Sequence, residues 1–196
     1  MLRLARAGKN ALLVAATGSG KTLAGFLPTI AELTEKPTEG LHTLYISPLK
    51  ALAVDVQRNL LGPIEEMGLP IRVETRTGDT PSDRKARQRV RPPQILLTTP
   101  ESLSLLLSYP DSFTIFENLR TIVVDELHGF AKEKRGDLLS LSMARLQKIA
   151  PNLRRVDCRR RSAIRMLIEA GSRPMPTWTK SRSSRAIRVP NRTFQS

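Results

Sequence analysis

The chain has 196 residues, of which 40% are hydrophobic and 26% are charged, so it is long enough for one globular domain with a tail and too short for two large domains. Its 32 Lys and Arg against 18 Asp and Glu give a net charge of +14, which favours polyanionic partners such as nucleic acid. No apolar run approaches the roughly 18 residues of a membrane span, and the single cysteine, Cys158, excludes an internal disulfide. We therefore expect a soluble protein of the reducing cytoplasm.

Short apolar runs alternate with longer segments of helical periodicity over residues 1–156. This alternation is typical of an α/β fold, an open parallel sheet with helices on both faces. Strands are predicted at 11–16, 43–47, 71–75, 94–98 and 121–124, with a sixth beginning at Leu153. Helices are predicted over 20–33, 50–67, 82–90, 100–108 and 136–149. Because ligands of such sheets bind beyond the carboxyl ends of the strands, the segments that follow the strands are the candidate functional segments.

A glycine-rich turn follows the first predicted strand and opens a helix. Backbone N–H groups in such a turn, together with the positive helix end, point at phosphate oxygens, so the segment is typical of a P-loop. Lys21 would reach the β- and γ-phosphates, and the Thr22 hydroxyl would ligate Mg²⁺. The strict pattern has glycine where this chain has Ala15, and a turn that merely joins strand to helix is the alternative. The predicted nucleotide-binding residues are Thr17, Gly18, Ser19, Gly20, Lys21 and Thr22.

A pair of carboxylates follows the predicted strand at 121–124. Asp125 would hold Mg²⁺ through water, and Glu126 would orient or deprotonate the attacking water. His128 would sense the γ-phosphate across the cleft. Two acidic residues after a strand are, taken alone, more often a helix N-terminus that complements its dipole, but the glycine-rich turn favours the catalytic interpretation. The predicted catalytic residues are Lys21, Asp125, Glu126 and His128, with Thr22 and Asp125 as metal ligands.

Five segments resemble, in order, the motifs of superfamily 2 DExH-box helicases. Residues 15–22 are similar to motif I, whose own form has the alanine, and residues 125–128, Asp-Glu-Leu-His, are similar to motif II. Residues 45–52 resemble motif Ia, residues 75–80 the Gly-Asp element and residues 98–101 motif Ib. The sequences of motif Ia and of residues 129–137 are most similar to those of the large helicase-related group, especially the ligase-associated DEXH-box DNA helicases. The resemblance covers about residues 1–156.

The resemblance implies a RecA-like lobe of a DNA-dependent ATPase that translocates along single strands in bacterial DNA repair. Its cofactors would be ATP and Mg²⁺, and its partners single-stranded DNA and a DNA-repair ligase, without a membrane. The three middle segments would grip the sugar-phosphate backbone, since they offer hydroxyls, turn amides and two cations but no reader of base edges. For Lys50 and Arg76 singly, a solvated element end is the alternative. We expect Tyr45 to be a packing residue rather than a platform for stacked bases, and His42 to be a surface residue at a strand edge. The predicted nucleic-acid-binding residues are Ser47, Pro48, Lys50, Arg76, Thr77, Gly78, Thr99 and Pro100.

Residues 157–196 differ in composition from the preceding 156. They carry ten basic and two acidic side chains and only six Leu, Ile, Val or Phe, too few for a packed core. We therefore predict two parts, a RecA-like lobe over 1–156 that is N-terminally incomplete and a mostly unstructured basic tail over 157–196. Helicases of this group complete their active site with arginine fingers from a second lobe, so we expect weak or no hydrolysis by this chain alone. A catalytically silent fragment that binds nucleotide and nucleic acid is the alternative, and a small P-loop kinase or transferase is a third interpretation.

The segment after Val156 departs from the family's motif III, Gly-Leu followed by Ser-Ala-Thr. Deleting one G from the codons GGA TTG TCG GCG ACG GTC GGC GAT CCG G, which encode Gly-Leu-Ser-Ala-Thr-Val-Gly-Asp-Pro, yields residues 157–165 as they stand. A frameshift after Val156 is therefore our hypothesis for the arginine-rich tail. The alternative is a genuine basic arm that binds nucleic acid by charge.

Overall fold

Strands and helices alternate along most of the chain, as the sequence predicts. The structure is a computed structural model that describes residues 1–15, 20–126, 134–160 and 185–188. The strands are β1 (Ala11–Ala15), β2 (Thr43–Ile46), β3 (Val73–Arg76), β4 (Ile95–Thr98), β5 (Thr121–Val124), β6 (Arg154–Arg160) and β7 (Arg185–Arg188). The helices are α1 (Leu2–Arg6), α2 (Lys21–Glu35), α3 (Lys50–Glu66), α4 (Ser82–Val90), α5 (Pro100–Ser108), α6 (Ser112–Phe116) and α7 (Lys134–Ile149).

All strand pairs of the sheet are parallel, and the strand order is β3-β4-β2-β5-β6-β1-β7. Parallel strands present their carboxyl ends at one edge, which we call the carboxyl edge. The segments after β1 and after β5 therefore leave from the same edge, with only β6 between them. The predicted open parallel sheet is confirmed.

Two hydrophobic clusters cover the two faces of the sheet. Successive residues of a strand point to opposite faces, so Ile122 and Val124 of β5 join the cluster under α5, α6 and α7, while Val123 joins the cluster under α2 and α3. These strands are buried on both faces, which explains why they are apolar without interruption. Each fully buried Leu, Ile or Phe in the clusters contributes about 1.5–3 kcal/mol relative to an exposed position.

The structure differs from the predicted elements at both ends of the chain and between α5 and β5. The short helices α1 and α6 were not predicted, and β6 runs through Arg160, four residues past the predicted boundary after Val156. Those residues lie in the sheet because β6 sits between β5 and β1, paired along its length from Ala11 with Val156 to Ala15 with Arg160. Residues 185–188 form β7 beside β1. The other tail residues, 161–184 and 189–196, lie outside the described residues.

His42 precedes β2 and is buried, with only 5% of its surface exposed, so the interpretation of His42 as a surface residue at a strand edge is wrong. Its Nδ1 lies 2.9 Å from Thr43 Oγ1, and its Nε2 lies 3.4 Å from Glu32 of α2. Burial, together with nearby Arg154 and Arg120, lowers the pKa of His42 to about 4 against the opposing effect of Glu32. His42 is therefore a neutral core residue near pH 7.

None of the helices within the described ranges is long and apolar enough to cross a membrane.

Candidate nucleotide and nucleic-acid site

The carboxyl end of β1 leads into α2, which begins at Lys21 with Thr22 in its first turn. Gly20 precedes the helix with φ of 73°, a left-handed conformation that favours glycine, and its carbonyl accepts a hydrogen bond from the Ala24 N–H at 2.9 Å. A strand followed closely in the sequence by a helix N-terminus is the arrangement that a phosphate-binding loop needs. Among the predicted nucleotide-binding residues, Thr17, Gly18 and Ser19 lie outside the described residues.

Asp125 is the first residue after β5 and is 9% exposed at the carboxyl edge. Its N–H donates to the carbonyl of Ile46 at 2.9 Å, which continues the ladder between β5 and β2 by one residue. Its carboxylate accepts two hydrogen bonds, from Tyr45 Oη to Oδ2 at 2.6 Å and from the Glu126 N–H to Oδ1 at 2.9 Å. Glu126 has φ of 48°, so the chain turns sharply at the second predicted carboxylate. His128 lies outside the described residues.

Tyr45 of β2 contacts both α2 and Asp125, the first residue after β5. Its ring is fully buried and stacks on Phe26 of α2, with the ring centroids 5.5 Å apart and the ring planes at 30°. Burial and the neighbouring Asp125 carboxylate raise the pKa of Tyr45 far above its ordinary value, so the hydroxyl remains a donor. The sequence predicted only packing for this residue. Strand alternation places its ring towards α2, but the reach of its hydroxyl to Asp125 depends on the register of β2 against β5.

The chemistry of these side chains fits a phosphate group with a hard divalent cation. The carboxylates of Asp125 and Glu126 and the hydroxyl of Thr22 supply oxygen ligands, which Mg²⁺ prefers. The N-terminus of α2 supplies backbone N–H groups and a positive dipole end on the same edge of the sheet. The described geometry can therefore place a nucleotide phosphate and its Mg²⁺ between the segments that follow β1 and β5.

The three predicted nucleic-acid segments follow three adjacent strands, β3, β4 and β2, at the same carboxyl edge. Ser47 is buried after β2, and its N–H donates to Thr98 of β4 at 3.0 Å. Pro48 follows it and is half-buried. Thr99 caps α5, whose first residue is Pro100, by accepting a hydrogen bond from the Ser102 N–H at 3.4 Å. The edge thus divides into a half after β3, β4 and β2 and a half after β5, β6 and β1.

The turn after β3 is tied to α3 and to α4. The N–H of Thr77 donates to Thr80 Oγ1 at 2.9 Å, which closes the turn around Gly78. Lys50, the first residue of α3, is paired with Asp79 of this turn at 2.8 Å and is 54% exposed. Lys85 of α4 donates to the Gly78 carbonyl at 2.8 Å. The structure therefore brings Lys50 and Gly78 together, although they are 28 residues apart in the sequence.

Arg76 does not add exposed charge to this edge, so that part of the prediction is wrong. Its side chain is 2% exposed, and Nη1 donates to the Lys85 carbonyl at 2.8 Å and to Gln88 Oε1 at 3.3 Å. These bonds attach α4 to the end of β3, and the Arg76 carbonyl accepts from Thr98 Oγ1 at 2.8 Å. A guanidinium used in this way is a structural link between an edge strand and its helix.

The parallel sheet, with the N-terminus of α2 and Asp125 at one edge, is that of a RecA-like lobe. Residues 1–163 match the DEAD/DEAH box helicase family, and the chain belongs to that family. It is 46% identical over 155 residues to the "Lhr helicase/ probable uracil glycosylase" of Mycolicibacterium smegmatis, covering 72% of this chain and 10% of the relative. It is 44% identical over 163 residues to the "ATP-dependent helicase Lhr-Core" of Methanothermobacter thermautotrophicus, covering 76% of this chain and 19% of the relative.

A solved structure shows the same fold. The Mycobacterium smegmatis helicase Lhr bound to ssDNA and AMP-PNP superposes with a TM-score of 0.73 at 36% identity, covering 94% of this chain and 24% of that chain. The resemblance to the large helicase-related group is confirmed, and the chain corresponds to the N-terminal RecA-like lobe of these helicases. The chain spans only 10–19% of the length of the two curated relatives named above.

Proposed function

We propose that this chain binds ATP with Mg²⁺ and the backbone of single-stranded DNA, as the ATP-binding lobe of an ATP-dependent DNA helicase. The observation that carries the proposal is the common edge of β1 and β5, which puts the start of α2 and the carboxylate of Asp125 on either side of β6. The relative whose structure contains ssDNA and AMP-PNP has the same lobe, which supports both ligands.

Each side chain has a proposed role that follows its chemistry. Lys21 contacts the β- and γ-phosphates, Thr22 and Asp125 hold the metal, and Glu126 orients or deprotonates the attacking water. His128 senses the γ-phosphate, and residues 17–20 enclose the phosphates with backbone N–H groups. Bound Mg²⁺ would neutralise charge on the phosphates. These assignments rest on the motif resemblance together with the placement of the described residues at the carboxyl edge.

Hydrolysis and unwinding by the lobe require a second RecA-like lobe in this proposal. Loss of an arginine finger lowers phosphoryl transfer by roughly 10³- to 10⁵-fold, and the family resemblance implies that these arginines come from the second lobe. A catalytically silent binding fragment is the second candidate function. A single-turnover ATPase assay with and without single-stranded DNA separates the two, because only the enzyme shows DNA-stimulated turnover that Lys21→Ala abolishes. A lobe over 1–156 with a basic tail, and a DNA-repair ligase as a further partner, also stay proposals.

Nucleotide binding by Lys21→Ala tests the proposed site directly. The variant should bind a fluorescent ATP analogue with Mg²⁺ roughly 10-fold or more weakly than the wild type, because a charge-assisted contact to phosphate is worth about 1.5–3 kcal/mol. Lys9→Ala is the matched control, since Lys9 is exposed and precedes β1 at the opposite edge of the sheet. It should stay within about twofold of the wild type. Equal losses in the two variants, or no binding by the folded wild type, would overturn the proposal.

A further inference from the structure

The hydroxyl of Tyr45 has a more specific task than filling the core. A phenylalanine would pack equally well against Phe26, but burying a hydroxyl costs free energy unless it is hydrogen-bonded. The hydroxyl recovers that cost with a 2.6 Å bond to Asp125 Oδ2, which links β2 to the residue after β5. The buried Tyr45 hydroxyl therefore has the proposed metal-binding carboxylate of Asp125 as its hydrogen-bond partner.

The two hydrogen bonds to Asp125 fix the plane of its carboxylate. Oδ2 accepts from Tyr45 and Oδ1 accepts from the Glu126 N–H, so rotation of the carboxylate would break both bonds. Each oxygen can accept more than one hydrogen bond, so both oxygens keep a lone pair for a metal-bound water. Because the carboxylate is already oriented, it loses little rotational freedom when a metal binds.

The ring of Tyr45 relates this carboxylate to the helix on the nucleotide side. Phe26 is fully buried and lies five residues into α2, which begins with the proposed phosphate and metal residues Lys21 and Thr22. Because the ring stacks on Phe26 while the hydroxyl binds Asp125, Tyr45 sets the position of one proposed metal ligand relative to the helix that carries the other. The contact spans α2, β2 and the turn after β5.

We propose that Tyr45 is a positioning residue for magnesium, which orients Asp125 through its hydroxyl. The inference rests on the proposed function, because it requires Asp125 to serve the metal of a bound nucleotide. Partners that orient metal ligands typically change metal affinity by roughly 10- to 100-fold when removed. Tyr45 itself does not touch the metal or the nucleotide in this proposal.

The test compares Tyr45→Phe with the wild type in the full chain, using the dissociation constant of a fluorescent ATP analogue in excess Mg²⁺ and in EDTA. We expect Tyr45→Phe to weaken binding about 10-fold in Mg²⁺ and by less than about twofold in EDTA. Thr43→Val is the matched control, because it removes another buried hydroxyl from β2, one that lies 2.9 Å from Thr29 Oγ1 and 2.9 Å from His42 Nδ1 and is not bonded to Asp125. The control should bind the analogue as tightly as the wild type in both conditions, since its hydroxyl does not touch Asp125.

The outcomes separate the inference from the proposed function. Failure of the wild type to bind the analogue in either condition would overturn the proposed function. Binding that Tyr45→Phe leaves unchanged, or weakens equally in Mg²⁺ and in EDTA, would overturn the positioning role while leaving nucleotide binding intact. In an Asp125→Ala background, Tyr45→Phe should have no further effect on binding in Mg²⁺, since the hydroxyl acts through that carboxylate. A full additional loss there would also contradict the inference.

Discussion

Two polar side chains at the ends of strands, Arg76 and His42, are buried in the structure. Arg76 ends β3 and His42 precedes β2, and the polarity of both side chains predicted a surface position. Both side chains are buried because each has partners in the interior. Arg76 donates to Lys85 and Gln88 of α4, and His42 lies against Glu32 of α2 as well as Thr43. A buried polar group is tolerated only where such partners exist, and those partners are distant in the sequence or lie on another element.

Stability should depend on pH through His42. The unfolded chain takes up a proton on His42 near pH 6.5, whereas the folded chain resists protonation down to about pH 4. The unfolding free energy should therefore be highest above pH 6.5 and fall by about 3 kcal/mol as pH decreases from 7 to 4. In His42→Gln this contribution is lost, so the difference between variant and wild type should shrink on acidification. Urea unfolding at several pH values measures this, and a difference that stays constant with pH would contradict the assigned burial.

At the scale of elements, β6 is the least expected strand. Five of its seven residues are charged, yet it lies between β1 and β5 in the interior of the sheet. Arg154 is buried and donates to Glu32 of α2 at 2.6 Å and to Thr121 at 2.7 Å, while Val156 and Cys158 point into the core under α2 and α3. Backbone pairing on both sides, with a paired arginine at one end, compensates for the low hydrophobicity of the strand.

The length of β6 predicts the effect of truncation. A chain ending after Val156 loses the pairing of Asp157 with Val124 and with Leu12, and the buried side chain of Cys158. We expect it to be less stable by about 2 kcal/mol or more than a chain ending after Arg160, a shift of roughly 4–8 °C in melting temperature.

Thermal unfolding of the two truncations, with the full chain as reference, measures this difference. Equal melting temperatures would show that residues 157–160 add nothing to the sheet.

The frameshift hypothesis is tested separately by the nucleotide sequence of the locus, where an intact frame through the tail, supported by clean reads, would refute it.

At the scale of the whole molecule, one edge of the sheet carries both proposed ligands. The half after β3, β4 and β2 presents Lys50 and the turn around Gly78, and the half after β5, β6 and β1 presents Asp125 and the start of α2. Because β2 and β5 are neighbours, the two halves adjoin, and Tyr45 and Asp125 meet where they join. The bond between Tyr45 and Asp125 therefore directly joins the strand ends of the two halves.

Lys50→Ala should weaken binding of single-stranded DNA about 3- to 10-fold and lower the slope of log affinity against log salt by about 0.7, the loss of one phosphate contact. Lys148→Ala is the control with the same charge change, since Lys148 is exposed in the last turn of α7, at the opposite edge of the sheet. It should change affinity by less than about twofold. Fluorescence anisotropy with a labelled oligonucleotide at several salt concentrations measures both variants, and equal slopes would contradict a specific role for Lys50.

The amino-acid sequence by itself determined the order of the first six strands and of the five longer helices, the carboxyl-edge segments and the family, because these depend on periodicity and on motifs that are local in the chain. Helix α4 has the predicted bounds, and β2 and β4 differ from theirs by one residue, since apolar runs and Pro or Gly boundaries are read within a few neighbours. The tertiary structure alone decided that Arg76 and His42 are buried, that a charged strand occupies an interior position and that the Tyr45 hydroxyl meets Asp125. These features depend on register and on partners from other elements, and the free energy of a polar side chain is set by the groups that surround it in space.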